Sequence, residues 1–248
     1  MPLLEVRNAT VQFGGVTAVD DASFVAERGE ITGLIGPNGA GKTTTFNVVT
    51  GLQRPTRGDV FFEGRKVTGS PVHRRARRGM ARTFQRLEAF GSLSVRENVK
   101  AAIDINRGPR AWFTRSHAEV DGLLDRVGIA AYADERADSI PTGVARLLEL
   151  ARCLASNPKL LLLDEPSSGL DESETDDFGD LLEELAAERR GIVMVEHDMD
   201  LVMAVCDVIH VLDFGRVIAS GSPAEIRNDP AVQKAYLGYS DDEPRTAV

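Results

Sequence analysis

Apolar and polar positions alternate at the amino end of this chain in a way that predicts a strand over Leu3–Val11, with a second at Phe24–Ala26. The apolar run E-I-T-G-L-I, from Glu30 to Ile35, is a short strand that stops at Gly36. Thr43–Thr50 then takes helical spacing and is closed by Gly51. Val60–Glu63 is a further strand, framed by the turn residues Gly58 and Gly64. From about Gln85 to Ala155 the period changes to that of helices, at Val95–Ile105, Ala118–Val127 and Val144–Ala155. Within the last, Val144, Leu147, Leu148, Ala151 and Ala155 recur on one face. Strand character returns at Leu160–Leu163, Ile192–Val195 and Val208–Leu212, with helices between them. The pattern predicts an α/β core interrupted by a helical subdomain and followed by a short polar tail, Ser240–Val248.

Composition changes this picture little. The 248 residues can bury a substantial core, and 42% apolar with 27% charged residues is ordinary for a globular chain. The 29 basic and 38 acidic side chains leave a net charge of −9, which gives no electrostatic reason to bind nucleic acid. Cys153 and Cys206 lie in apolar helical patterns, and buried reduced thiols are expected there. Polar residues interrupt the apolar ones from Glu5 onward, so no secretory leader is expected. No apolar run approaches the roughly 20 residues that cross a bilayer. A cytosolic chain is expected, its membrane role reached through a partner. The basic run His73–Arg78 carries no interleaved aromatics, and a solvated helix face is expected there.

The chemistry begins at Gly36-Pro37-Asn38-Gly39-Ala40-Gly41-Lys42-Thr43, which fits G-x-x-x-x-G-K-[ST] between a predicted strand and a predicted helix. Glycines let backbone N–H groups turn inward around phosphate oxygens, and the helix N-terminus adds partial positive charge. Lys42 would reach the β- and γ-phosphates, and the Thr43 hydroxyl would ligate Mg²⁺. A chance glycine-rich turn is the alternative, disfavoured by the strand, loop and helix occurring together. Downstream, Leu160–Leu163 is a buried strand ending in Asp164-Glu165. Asp164 would reach the metal through water, and Glu165 would polarise a water toward the γ-phosphate.

Three further features sit in order: Gln85 in A-R-T-F-Q, Ser167–Asp171 as S-S-G-L-D, and His197 in V-M-V-E-H-D. Together with the two motifs above, they resemble the ATP-binding subunit of an ABC (ATP-binding cassette) transporter over nearly the whole chain. F-G-G-V-T-A-V-D-D, L-S-V-R-E-N-V and the closing G-S-P-A-E-I-R-N-D-P-A-V-Q-K-A-Y-L-G are similar to branched-chain amino-acid uptake ATPases. Urea-type importers share much of this wording, and lipopolysaccharide-export ATPases share part.

The resemblance implies a single cassette: a P-loop NTPase (RecA-like) α/β core with an antiparallel β subdomain and an inserted α-helical subdomain. The core would span 1–84 and 156–239, the helical subdomain 85–155, and a flexible tail 240–248. It implies that Phe13 stacks on adenine with Val19 beside the nucleotide, although a lone strand aromatic is more often core. Asn38, Gly39, Ala40, Gly41, Lys42, Thr43 and Thr44 would hold ATP. Gln85 would contact Mg²⁺ or the attacking water, and His197 would hydrogen-bond the γ-phosphate and hold Glu165. Asp171 would lie at the interface with a second ATPase subunit. Permease subunits would dock in a groove beside the helical insert at the cytoplasmic face of the membrane, and a solute-binding protein would act indirectly.

One segment departs from the family pattern. Where L-S-G-G-Q is usual, this chain reads Ile140-Pro141-Thr142-Gly143-Val144. In the family this segment grips the γ-phosphate held on the opposite subunit, so Thr142 and Gly143 are the expected partner-site contacts. Pro141 lacks both the hydroxyl and the N–H of serine, while remaining comfortable at a helix start. A lost hydrogen bond to a charged group is worth about 1.5–3 kcal/mol, which predicts a weakened grip rather than a dead one. The expectation is an unequal heterodimer, with a homodimer as the alternative. Two other functions compete with this one. A soluble ABC ATPase of translation or repair usually carries two cassettes or a long insertion. A phosphate-loop kinase or GTPase would need an acceptor site or an N-K-x-D motif.

Overall fold

The computed structural model describes residues 1–85, 88–107 and 117–237. In chain order, the first half contains β1 (Leu4–Phe13), β2 (Val16–Ala26), β3 (Ile31–Ile35), α1 (Lys42–Thr50), β4 (Arg57–Phe62), β5 (Arg65–Lys66), α2 (Val72–Ala76) and β6 (Met80–Arg82). The helices α3 (Val95–Arg107), α4 (His117–Arg126) and α5 (Thr142–Leu154) follow. The chain then returns to α/β order with β7 (Leu160–Asp164), α6 (Glu172–Ala187), β8 (Gly191–Val195), α7 (Met199–Val205), β9 (Val208–Asp213), β10 (Arg216–Gly221), α8 (Pro223–Asn228) and α9 (Pro230–Leu237).

These strands form two sheets. β2-β1-β4-β5 is antiparallel, and β10-β9-β3-β8-β7-β6 is parallel apart from the β9–β10 hairpin. All five residues of β3, β7 and β8 are buried, as expected for parallel strands covered on both faces. Because successive side chains point to opposite faces, each apolar run serves two cores. Leu160, Leu162, Val193 and Val195 pack with Leu4, Phe24, Phe46 and Phe62 toward the antiparallel sheet. Leu161, Leu163, Ile192 and Met194 pack with Phe178, Leu182, Leu185 and Val202 toward the helices. The second core continues into the insert through Val95, Val99 and Ile103 on α3, Val120 and Leu124 on α4, and Leu148 and Ala151 on α5.

The expected elements are present, with informative differences. β2 starts at Val16, well before Phe24, because a Gly14-Gly15 turn folds it back on β1. In V-T-A-V-D-D only Val19 is fully buried, so the apolar signal there is thin. β10, α8 and α9 follow Val208–Asp213, and the half-exposed Arg216–Gly221 gives no alternation to read. The tail 240–248 lies outside the described residues.

The basic run is not wholly solvated. His73, Arg74, Arg77 and Arg78 are exposed, but Arg75 is only 1% exposed. Its guanidinium donates to the carbonyls of Val48 at 2.7 Å, Val49 at 2.5 Å, Thr68 at 2.9 Å and Ser70 at 3.0 Å. Val48 and Val49 lie in the last turn of α1, where unpaired carbonyls and the negative end of the helix dipole favour a cation. Burial lowers the Arg75 pKa to about 10, so it stays charged at neutral pH. The charge is in the core because a helix end needs it there.

His210 on β9 joins the two sheets. Its Nδ1 lies 2.7 Å from Ser220 Oγ on β10, and its Nε2 lies 3.1 Å from the Val25 carbonyl oxygen on β2. Burial pushes its pKa below 6.5, although the Val25 carbonyl opposes the shift.

Arg75→Met strands several buried carbonyls and is expected to cost about 3 kcal/mol in urea unfolding. Arg75→Lys should recover only part, since one ammonium cannot fork to so many acceptors. For His210 the unfolded chain takes up a proton first as pH falls. Stability should therefore be full above about pH 6.5 and decline below it, toward and through the lowered folded pKa. His210→Gln should flatten that decline in unfolding measured from pH 8 to pH 5.

Candidate functional site

The C-terminal ends of β3, β7 and β8 lie side by side, and the loops leaving them converge, which is where open α/β sheets place ligands. β3 leads into the loop of residues 36–41 and the N-terminus of α1. At Gly36, with φ of 149°, an added Cβ would sit 2.0 Å from the Leu212 carbonyl oxygen. At Gly41, with φ of 102°, it would sit 2.5 Å from that of Ala18. Side chains are excluded at both points by backbone, so the loop can only be built with glycine.

The loop winds around Lys42, whose Nζ donates to the Gly36 carbonyl at 2.5 Å and to that of Pro37 at 3.1 Å. Lys42 is buried, and desolvation lowers its pKa against the opposing pull of Glu165 and Asp164. Asn38, Gly39 and Thr43 are exposed on the outer side, while Ala40 is buried and Thr44 half-buried. Val19 is fully buried, its Cγ2 3.5 Å from the Cβ position of Gly41. Phe13 ends β1 and remains 51% exposed, so its ring is open to a flat partner.

β7 delivers Asp164 and Glu165. Asp164 is buried, its N–H donating to Thr83 Oγ1 at 3.0 Å and its carboxylate paired with Arg82. Glu165 has a φ of +50°, an uncommon conformation for a side-chain-bearing residue, held by its N–H bond to the Val195 carbonyl at 2.8 Å. Its Oε1 accepts from Gln85 Nε2 at 3.2 Å and lies 3.2 Å from His197 Nε2. Three residues far apart in sequence thus meet at one carboxylate oxygen, leaving Oε2 for another donor.

Glu196, the last residue before His197, is a functional-site residue to which the sequence assigns no role. It is 5% exposed; its Oε1 accepts from both the N–H and the Oγ of Ser167 at 2.8 Å, and its Oε2 from the His197 N–H at 2.9 Å. The carboxylate ties the loop after β7 to the loop after β8. A charged residue closing an apolar strand is the only sequence signal it leaves. Tyr236 on α9 also reaches the site: the Gly36 backbone hydrogen-bonds its phenol, and although the residue is 38% exposed, desolvation of the hydroxyl end raises its pKa to about 12.

The turn bearing Gln85 is gripped from α5. Arg146 donates to the carbonyls of Phe84 at 2.8 Å and Gln85 at 2.7 Å. Glu149 accepts from the Glu88 N–H at 2.7 Å, and Arg152 donates to the Glu88 carbonyl at 2.7 Å. Beside this turn a groove of about 560 Å³ runs between core and helical insert, with Leu52, Val72, Phe84, Phe90, Ile105 and Arg152 on its walls. Cys153 also lines it and is half-buried rather than buried as expected, with desolvation pushing its thiol up to about 12; Cys206 is buried, and both are free.

At the start of α5, Pro141 is the N-cap and is exposed, as is Thr142. Gly143 is buried against the loop after β7, where an added Cβ would lie 2.7 Å from the Gly169 carbonyl oxygen. Val144 is 6% exposed and belongs to the helical-side core. Asp171 caps α6 in a reciprocal box with Glu174, so it has a structural task whatever it meets from outside.

Comparison with known proteins agrees with this geometry. The family profile described as "ABC transporter" matches residues 19–168, and one described as "Branched-chain amino acid ATP-binding cassette transporter" matches residues 216–242. The chain is 39% identical to the high-affinity branched-chain amino acid transport ATP-binding protein BraF of Pseudomonas aeruginosa, covering 96% of this chain and 98% of that one. It is 34% identical to the lipopolysaccharide export system ATP-binding protein LptB of Haemophilus influenzae, over 96% and 98%. Its fold matches the ATP-binding cassette MJ1267 of an ABC transporter with a TM-score of 0.86 at 29% identity, over 95% and 99% of the two chains. The ADP conformation of that cassette matches at 0.83 and 28%, over 96% and 99%.

Glu196→Ala would leave the Ser167 and His197 donors unpaired and is expected to lower stability by about 3 kcal/mol. Hydrogen exchange read by mass spectrometry should show faster exchange in the peptides spanning 164–171 and 195–199. Unchanged exchange in both would refute the tie.

Proposed function

This chain belongs to the ABC transporter family of ATP-binding cassettes, and we propose that it is the ATP-hydrolysing subunit of an importer for branched-chain amino acids or a related small polar solute. The carrying observation is the meeting of Gln85 and His197 on Glu165 Oε1, beside a complete phosphate loop. The match of residues 216–242 to the branched-chain family favours this over the lipopolysaccharide-export reading.

The residues fit a nucleotide with its cation. The loop has backbone where side chains would collide, and Thr43, Asp164 and Gln85 offer the hard oxygen donors that suit Mg²⁺. Held by these residues, the cation would supply charge neutralisation at the phosphate oxygens. Lys42 exchanges the Gly36 and Pro37 carbonyls for those phosphates, and α1 directs its N-terminus at them. Phe13 stacks on adenine, with Val19 supporting the loop beneath. Glu165, oriented through Oε1, receives a proton at Oε2 from the water that attacks the γ-phosphorus. The bond from the γ-phosphorus to the bridging oxygen breaks, that oxygen keeping the electron pair and leaving on ADP, while His197 donates to a γ-phosphate oxygen.

The cassette works with transporter permease subunits, whose docking face is the apolar groove between core and insert. Gln85 lines the junction between that groove and Glu165, so nucleotide state and permease position share one turn. A separate binding protein delivers solute, and the chain acts peripherally at the cytoplasmic face of the membrane. No described helix is long and apolar enough to cross it. Closure requires a second ATPase subunit, whose nucleotide faces Thr142, Gly143 and Asp171. Pro141 weakens the grip on that nucleotide only. A heterodimer with one weakened site is the arrangement we favour.

Glu165→Gln is expected to retain ATP binding while lowering hydrolysis at least about 100-fold, read by phosphate release. With ATP and Mg²⁺, this variant should form a locked dimer far more readily with a paired ATPase than alone. Equal formation by the lone chain would exclude the asymmetry. Co-purification with a multi-span membrane protein tests the transport assignment itself.

A further inference from the structure

The Asp164 carboxylate is held by a residue outside the roles assigned so far. Arg82, at the end of β6, sets its Nη2 3.0 Å from Asp164 Oδ2 and its Nη1 2.6 Å from Asn47 Oδ1 on α1. The pair is buried, with side chains 6% and 2% exposed. The guanidinium carbon lies 5.4 Å from the Phe46 ring centre and 5.1 Å from that of Phe84. Its Nε is buried with no acceptor among the described residues, so Asp164, Asn47 and the two rings fix its position.

We propose that Arg82 is a positioning residue for the reaction, which holds one oxygen of Asp164, leaves the other toward the phosphate loop, and so sets how tightly a divalent cation binds with nucleotide. This rests on the ATPase reading above. A carboxylate free to rotate would present either oxygen and be disordered with respect to metal-bound water. Here Oδ2 is committed to Arg82, and the neighbouring Thr83 hydroxyl accepts from the Asp164 N–H. Both constraints come from the end of β6, where Arg82 is the last strand residue and Thr83 follows it, and β6 pairs in register with β7. One planar fork therefore spans α1, β6 and β7, a geometry lysine cannot reproduce. Because Gln85 follows Arg82 on the same segment, the carboxylate and the glutamine turn are anchored to one strand end.

The test uses the full chain and Mn²⁺ as the probe, with its binding to the complex of protein and a non-hydrolysable ATP analogue read by electron paramagnetic resonance. Metal-free mant-ATP binding is read in parallel by fluorescence. Arg82→Gln is expected to weaken Mn²⁺ at least about tenfold, the usual scale for groups that orient a metal's ligands, while metal-free nucleotide binding stays within about twofold. Arg82→Lys should fall between it and wild type, and Asn47→Ala should weaken Mn²⁺ by a smaller factor. Lowered thermal stability with wild-type Mn²⁺ affinity would make the pair purely structural and overturn the proposal. Should Arg82→Gln fail to fold, unchanged Mn²⁺ affinity in both milder variants overturns it equally. A wild-type chain that binds no mant-ATP would instead sink the ATPase reading.

Discussion

The constraint on which this structure depends is the burial of three parallel strands on both faces. β3, β7 and β8 have no exposed residue, so each must alternate between two cores and release its polarity at its ends. The C-terminal ends release it together. Gly36 begins the phosphate loop, Asp164 closes β7, and Glu196 follows β8. The active edge is where an apolar sheet runs out, and its chemistry inherits the rigidity of the cores behind it.

Buried charges hold this edge to its surroundings, and most of them bind backbone. Arg75 closes the far end of α1 through carbonyls, while Lys42 rests on those of the loop at its near end. Arg146 holds the carbonyls of Phe84 and Gln85, and Glu196 holds the amides of Ser167 and His197. A buried charge left without such partners would cost several kcal/mol, so each of these residues constrains the segment it contacts. The segments so fixed are those that surround the proposed nucleotide.

Much of this was legible in the chain because its signals are local. The loop from Gly36 to Thr43, the apolar run before Asp164 and the helical period at α5 are contiguous patterns, and each lies where the pattern places it. The first half of β2 was not legible, since its polar residues cover a strand with few buried positions. Arg75 was read as solvated because four exposed basic neighbours surround it. What buries it is a helix end some 25 residues earlier, at Val48 and Val49. Arg82 and Glu196 stand inside motifs that give them no role, for the same reason. Their partners come from other strands, and single-sequence periodicity carries no information about which strand ends lie together.

The altered segment Ile140–Val144 shows how fold and function divide over a few residues. Val144 stands where the family pattern carries a glutamine, yet it is buried in the helical-side core and strengthens it. Gly143 keeps its requirement for glycine, set by the approach of Gly169 from the same chain. Pro141 starts α5 at a position where a missing N–H leaves no helical bond unmade. Each change therefore agrees with the stability of the chain that carries it. In the proposed assembly any penalty falls on a phosphate bound to the second subunit, which selection on this fold alone would not register. A segment whose defects are invisible to its own folding can drift when a second, different ATPase supplies an intact counterpart. In a homodimer the same drift would weaken both sites at once.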